Sequence, residues 1–176
     1  DELLIEKYND VYDDLLCYQE IRNKLKAKRQ LNGEIRFNLP EPFILENSQG
    51  EIISIENRVQ DESHEIIECL MVLTNEVVAK TFFEKALPFV YRVHETPTVE
   101  RTNKFKAFAG SLGLKFCATG KEPSPKDFQI LLRESDGKDY STALSKVMLR
   151  SMQKARYEIE NLGHFGLALK DYCHFT

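Results

Sequence analysis

The chain has 176 residues with 24 basic and 28 acidic side chains, and 42% of its residues are hydrophobic. This length and composition suit one globular core and exclude a disordered or collagen-like chain. The net charge of −4 supplies no general basic field, so any nucleic-acid site must be local.

The sequence has no run of apolar residues long enough to span a membrane, and its acidic start, DELLIEKYND, differs from a signal peptide. Its four cysteines lie far apart without a C-x-x-C pair. They predict reduced thiols rather than a zinc knuckle or a disulfide framework. We therefore expect a cytoplasmic protein. The start without Met and the HFT ending lead us to expect a piece of something longer.

A long amphipathic helix is predicted over residues 3–31, where apolar residues recur at spacings of three and four before the Asn32-Gly33 stop. Basic residues concentrate near its end: Arg22, Lys24, Lys26, Lys28 and Arg29. Two interpretations of this basic cluster stay open. The commoner arrangement is a solvated basic face, and the alternative is a patch that contacts phosphates.

Residues 34–55 change to a period of two, which predicts a strand followed by a hairpin around residues 47–50. Two prolines, Pro40 and Pro42, keep the first run extended and near a sheet edge. Phe37 lies in that run, beside irregular backbone. It is either an ordinary core residue or a ring on which an unpaired base stacks.

The strongest predicted helix covers residues 61–86, and its apolar residues occupy more than half of the circumference. Such a helix is expected to be central. Glu68 and Asn75 lie within about 20° of each other on the narrow polar strip that remains. They either face solvent or need hydrogen-bond partners, because an unpaired buried polar group costs about 1–3 kcal/mol.

The rest of the pattern predicts a short buried strand over residues 87–93 and four helices. One is capped by Thr98 with Val99 facing inward, one opens at a Ser124 capping box, and two cover residues 141–152 and 167–174. The predicted fold class is α+β, predominantly helical with a small antiparallel sheet.

The polar residues form no self-contained active site. The acidic group Asp10, Asp13 and Asp14 has no neighbouring histidine and is interpreted as solvated surface rather than a metal site. The histidines form no H-x-x-x-H pair, no serine sits in a nucleophile elbow, and the glycines lack phosphate-loop spacing. These patterns predict neither a metal ligand nor a catalytic residue in this chain.

Four motifs that follow one another in the same order resemble the catalytic domain of the ribonuclease R and ribonuclease II exoribonucleases. The string LRSMQKARYEIENLGHFGLALKDYCHFT is similar to the end of that domain, before its SPIRRY segment. Three upstream stretches also match: FNLPEP at residues 37–42, IECLMVLTNE at residues 67–76 and LPFVYRVHETP at residues 87–97. The resemblance covers essentially the whole chain and implies the central to carboxy-terminal part of an RNB domain over residues 1–176.

The resemblance implies a processive hydrolase that degrades single-stranded RNA from its 3′ end to 5′-mononucleotides, using two magnesium ions on an aspartate cluster. In the family that cluster precedes the stretch matched here, and the SPIRRY arginine follows it. We therefore expect this chain alone to be inactive, with no magnesium and no small-molecule cofactor bound. The alternative is a non-catalytic RNA-binding or scaffold module derived from the same domain.

Residue roles also come from the resemblance. Phe37 matches the family aromatic residue that stacks on the last bases of the RNA. Glu68 matches the glutamate that contacts the 3′-terminal nucleotide, and Asn75 is given a supporting RNA-binding role. Three histidines of the matching strings receive no role: His94, His164 and His174.

Overall fold

A computed structural model of the chain describes residues 7–37, 39, 42–57, 61–118, 120 and 122–174. The chain forms two compact units. Unit 1 comprises residues 1–34, 61–95 and 155–176, and unit 2 comprises residues 35–60 and 96–154. Among the described residues, no helix is both long and apolar enough to cross a membrane.

The secondary structure is mainly helical. In chain order the elements are α1 (Asn9–Asn32), β1 (Pro42–Glu46), β2 (Ile52–Asn57), α2 (Glu62–Glu84), β3 (Tyr91–Val93), α3 (Val99–Ser111), α4 (Pro125–Ser135), α5 (Ser141–Ser151), β4 (Arg156–Glu158) and a 3-10 turn (Phe165–Leu167). The strands pair as two antiparallel two-stranded sheets, β1 with β2 and β3 with β4. The predicted α+β class is confirmed, with two small sheets where one was expected.

Helix α1 confirms the first predicted helix, although residues 3–6 of that prediction lie outside the described residues. It ends at Gly33, whose left-handed φ of 100° suits a residue without a Cβ. The apolar residues of this amphipathic helix are partly exposed, including Leu15 and Tyr18. The buried residues of α1 are instead Arg22 and Arg29.

Helix α2 confirms the central helix, and the side chain of its N-cap Asp61 accepts a hydrogen bond from the His64 N–H. Its buried residues form one stripe: Cys69, Val72, Asn75 and Ala79. Large apolar residues on its other sides remain exposed, including Ile67 and Phe83. The expected polar strip is therefore part of the packed face. Ala79 shares a buried cluster with β3 and the carboxy-terminal segment, where its small side chain permits close approach.

The carboxy-terminal part of unit 1 differs most from expectation. The strand predicted over residues 87–93 is confirmed only as the short β3, and β4, which pairs with it, was not predicted. The helix predicted over residues 167–174 is wrong, because only a 3-10 turn forms there. Ala168 has a left-handed φ of 53°, which interrupts the helix. The carbonyl of Tyr172 accepts a 2.9 Å hydrogen bond from the Arg92 N–H, so this segment lies along β3.

Unit 2 contains the predicted hairpin of β1 and β2, in which Ile44 pairs with Ile55 and the register shifts after Leu45. The strand predicted around Phe37 is wrong, since residues 34–37 form no strand. The neighbouring prolines disfavour ladder hydrogen bonds there. Pro40 itself lies outside the described residues.

The three helices of unit 2 confirm their predicted positions, and their core is aromatic. The buried rings of Phe105, Phe116 and Phe128 contact one another with centroids 4.8–5.5 Å apart. Thr98 caps α3 by accepting a hydrogen bond from the Arg101 N–H. The inward placement of Val99 is wrong, because this first helical residue is 77% exposed.

The capping box at the start of α4 generates a stability prediction. Ser124 Oγ accepts from the Asp127 N–H and donates to the buried Asp127 carboxylate at 2.8 Å. Ser124→Ala should lower the free energy of unfolding of the chain by about 1–2 kcal/mol. Ser141→Ala is the control, because α5 begins without a side-chain cap bond. Urea unfolding should separate the two variants, and equal midpoints would contradict the capping role.

Candidate functional site

Some of the basic residues of α1 form ion pairs with acidic residues of α2, within unit 1. Arg22 is 5% exposed. Its guanidinium donates to Glu65 at 2.8 Å and lies 3.0 Å from Glu62. Lys26 Nζ contacts the same Glu65 carboxylate at 2.7 Å. These ion pairs fasten α1 to the first turns of α2.

Arg29 makes a second contact between the same helices. It is 5% exposed, and its Nη2 donates to the main-chain carbonyl of Cys69 at 2.9 Å. Its Nη1 contacts Cys69 Sγ at 3.7 Å. A charged donor on a carbonyl makes a stronger bond than a neutral donor.

The phosphate-contact hypothesis stays a prediction, but these contacts disfavour it for Arg22, Lys26 and Arg29. Lys24 remains exposed while pairing with Glu20 inside α1 at 2.6 Å, and Lys28 is exposed as well. Lys24 and Lys28 are therefore the accessible candidates for phosphate contact.

Glu68 lies between the two helix-to-helix contacts. It stands one turn after Glu65, which binds Arg22 and Lys26, and one residue before Cys69, whose carbonyl binds Arg29. The Glu68 side chain is partly buried. The backbone that carries this carboxylate is thus held on both sides, which suits a residue that must keep a fixed direction toward a ligand.

Asn75 is 1% exposed, so it does not face solvent as one interpretation of the sequence allowed. Its Nδ2 donates to the Tyr172 hydroxyl over 3.4 Å, and its main-chain carbonyl accepts from Cys173 Sγ at 3.2 Å. The supporting RNA role of Asn75 stays a prediction. Because the side chain is buried, an indirect role through neighbouring residues suits Asn75 better than direct contact with RNA.

Tyr172 connects Asn75 to the end of the described chain. Its hydroxyl lies 3.3 Å from His174 Nδ1, and the His174 carbonyl accepts a hydrogen bond from Tyr157. Burial raises the pKa of the Tyr172 hydroxyl, so that group stays protonated near neutral pH. Sequence reasoning missed Tyr172.

His94 and His164 hold the turn that contains the GHFGLAL string. Their rings are 5.1 Å apart in an edge-to-face arrangement. His94 Nδ1 accepts from the Gly166 N–H at 3.1 Å, and His164 Nδ1 accepts from the Leu167 N–H at 3.2 Å. A Cβ on Gly166 would lie 2.9 Å from His94 Nδ1, so glycine is required there. This geometry gives both histidines a structural role.

Phe37 lies in unit 2 and is partly buried, so part of its surface is accessible. Its neighbour Asn38 lies outside the described residues. Stacking on a base stays a prediction for Phe37.

The described residues do not fit a magnesium centre. Within them, no three His, Cys, Asp or Glu side chains converge on a point that could hold a metal ion. Asp10, Asp13 and Asp14 are exposed along α1, in agreement with their interpretation as solvated surface. Magnesium prefers near-octahedral oxygen coordination, which this arrangement does not supply.

His164 generates a prediction about pH. Burial, together with neighbouring His94 and Arg92, lowers its pKa to about 4. An unfolded histidine has a pKa of about 6.5, so between these values the unfolded chain binds a proton that the folded chain does not. Stability should therefore fall as the pH drops through this window, by up to about 3 kcal/mol from this group.

Urea unfolding at several pH values between about 7 and 4.5 measures how the free energy of unfolding falls with pH. His164→Gln should flatten the dependence, because glutamine does not titrate. A slope that His164→Gln leaves unchanged would refute the assignment to His164.

Comparison with known proteins now adds to this geometry. The family model described as the RNB domain matches residues 2–176. Ribonuclease R 1 of Lactococcus lactis is 37% identical and Ribonuclease R of Vibrio cholerae is 39% identical, each over all of this chain. The chain covers 22% and 21% of these proteins, respectively. It thus spans about a fifth of the length of the curated relatives it matches.

Solved structures give the same result. The apo form of Mycoplasma genitalium RNase R superposes with a TM-score of 0.90 at 25% identity, over 100% of this chain and 29% of that one. The same enzyme in complex with ribose-methylated single-stranded RNA also gives 0.90. Yeast Ssd1, a pseudonuclease, shares the fold, with a TM-score of 0.65 at 18% identity over 99% of this chain and 22% of that one. By its motifs, fold and sequence, the chain belongs to the RNB domain family.

Proposed function

We propose that the chain is part of a processive 3′-to-5′ exoribonuclease that hydrolyses single-stranded RNA to 5′-mononucleotides. One observation carries this proposal. The whole chain aligns with Mycoplasma genitalium RNase R at a TM-score of 0.90, and that enzyme has been solved with single-stranded RNA. Because the chain covers about a fifth of its curated relatives, the activity is proposed for the longer parent protein.

In this proposal, α2 presents Glu68 to the 3′ end of the RNA. A carboxylate only accepts hydrogen bonds, and a 3′-terminal ribose offers two hydroxyl donors. Contact with the 2′-hydroxyl would also favour RNA over DNA. The contacts of Arg22 and Arg29 with α2 keep Glu68 in place without requiring these arginines to touch the RNA.

Phe37 contributes a different interaction. A ring stacked on a base is worth about 1–3 kcal/mol and tolerates any base sequence. This suits an enzyme that must degrade RNAs of many sequences, because the ring holds the strand without reading it.

The proposal places the metal outside the described residues. Magnesium ions would stabilise the charge that develops on the phosphate oxygens, and their ligands would come from other parts of the parent protein. Cytoplasmic location of the parent protein also stays a prediction.

The competing function is a non-catalytic RNA-binding or scaffold module. Incubating the 176-residue chain and the parent protein separately with 3′-tailed single-stranded RNA and magnesium distinguishes the two. We expect magnesium-dependent mononucleotide release from the parent protein and none from the chain alone. RNA binding without cleavage by the parent protein would support the module, and release by the chain alone would show that the active site has been misplaced.

Phe37 and Glu68 should have separable effects in the parent protein. Phe37→Leu keeps apolar volume and removes the aromatic face, so RNA affinity should fall by about 1–3 kcal/mol while the bound-state cleavage rate changes little. Glu68→Gln should slow cleavage of bound RNA by about tenfold or more, because the terminal nucleotide loses its fixed orientation.

Single-turnover rates at saturating enzyme, RNA affinities and melting temperatures together test these roles. Glu84→Gln, at the exposed end of α2, is the matched control and should behave as wild type. If Phe37→Leu and Glu68→Gln lower only the melting temperature, both residues are structural and the assignment is wrong.

A further inference from the structure

The carboxy-terminal segment of unit 1 forms two hydrogen bonds with Asn75. Tyr172 accepts a hydrogen bond from the Asn75 side chain, and Cys173 Sγ donates to the Asn75 carbonyl. Asn75 and Cys173 are each 1% exposed, and Tyr172 is 5% exposed. A single buried residue of α2 thus joins the helix to the segment that leads to His174.

The Tyr172 hydroxyl connects Asn75 to His174. The Asn75 amide nitrogen can only donate, so the hydroxyl oxygen accepts on that side. On the other side the hydroxyl lies 3.3 Å from His174 Nδ1, within hydrogen-bond distance. The hydroxyl is therefore the group that links Asn75 to the His174 ring.

Packing alone does not require this hydroxyl. The Tyr172 ring already meets the His164 ring edge-to-face at 5.1 Å. The Tyr172 carbonyl is bound to the Arg92 N–H on β3, and Cys173 belongs to the buried cluster with Ala79 and Val93. The hydroxyl adds directional contacts to a segment that other interactions hold in place.

The same helix face links Tyr172 to the proposed RNA contact. Glu68 and Asn75 are separated by seven positions and so project within about 20° of each other. We propose that Tyr172 is a positioning residue of the parent exoribonuclease. It acts through Asn75 and His174 to orient the face of α2 that carries Glu68, the proposed contact to the 3′-terminal nucleotide. This inference rests on the proposed function, because it assigns Tyr172 a part in that same RNA site.

Tyr172→Phe in the full-length parent protein removes the hydroxyl and keeps the ring. We expect the single-turnover cleavage rate at saturating enzyme to fall about tenfold. RNA affinity should stay within about twofold, since a positioning residue acts mainly on the bound complex. Tyr91→Phe is the matched control, because Tyr91 is a tyrosine of the same core and is 4% exposed. It should cleave at the wild-type rate.

A double variant distinguishes positioning from general loosening. If Asn75 and Tyr172 act as one unit, Asn75→Ser combined with Tyr172→Phe should cleave no more than about twofold slower than the slower single variant. Fully multiplicative effects would overturn the relay from Asn75 through Tyr172.

The remaining outcomes are also decisive. A wild-type cleavage rate for Tyr172→Phe, with or without a lower melting temperature, would overturn the positioning role while leaving the proposed function intact. An equal loss of rate in Tyr91→Phe would reduce Tyr172 to a core residue. Absence of cleavage by the wild-type parent protein would overturn the proposed function, and the positioning role with it.

Discussion

The contact of two buried arginines with α2 is the interaction on which unit 1 depends. Arg22 and Arg29 lie two turns apart on one face of α1, and the first pairs with carboxylates while the second binds the Cys69 carbonyl. Buried charges are costly unless they are paired and hydrogen-bonded. This requirement fixes the register of α1 against α2 more narrowly than apolar packing would, because each donor must meet its acceptor.

The consequence is a central helix whose packed face is polar at selected points. The same face carries Glu68 between the arginine contacts and Asn75 two turns later. Asn75 is bound by Tyr172 and Cys173 rather than by an arginine. Because several directional contacts hold α2, the helix cannot rotate about its own axis. The orientation of α2 determines the direction of the Glu68 side chain. Under the proposed function, the fold would hold the carboxylate in position before RNA binds.

Features that depend on neighbouring residues were predictable from the sequence, whereas features that depend on contacts between distant residues were not. The capping box at Ser124 and the glycine stop at Gly33 depend on neighbouring residues only, so the sequence showed them. Strand β4 forms because it pairs with the distant β3. With three residues, it is too short to show an alternating pattern in the sequence. Neither interpretation of the basic cluster, a solvated face or a phosphate-contacting patch, included the contacts that Arg22, Lys26 and Arg29 make with α2. Arg22, Lys26 and Arg29 follow the i, i+4, i+7 spacing of a single helix face, which was the available signal.

Cross-linking tests the central claim that the Glu68 face of α2 meets the RNA end. The parent protein would bind single-stranded RNA carrying a 3′-terminal 4-thiouridine in the absence of free magnesium, and cross-linked peptides would be mapped by mass spectrometry after irradiation. We predict cross-links in the α2 peptide around Glu68 and in the peptide containing Phe37. Cross-links confined to the exposed lysines Lys24 and Lys28 of α1, with none near Glu68, would contradict the account.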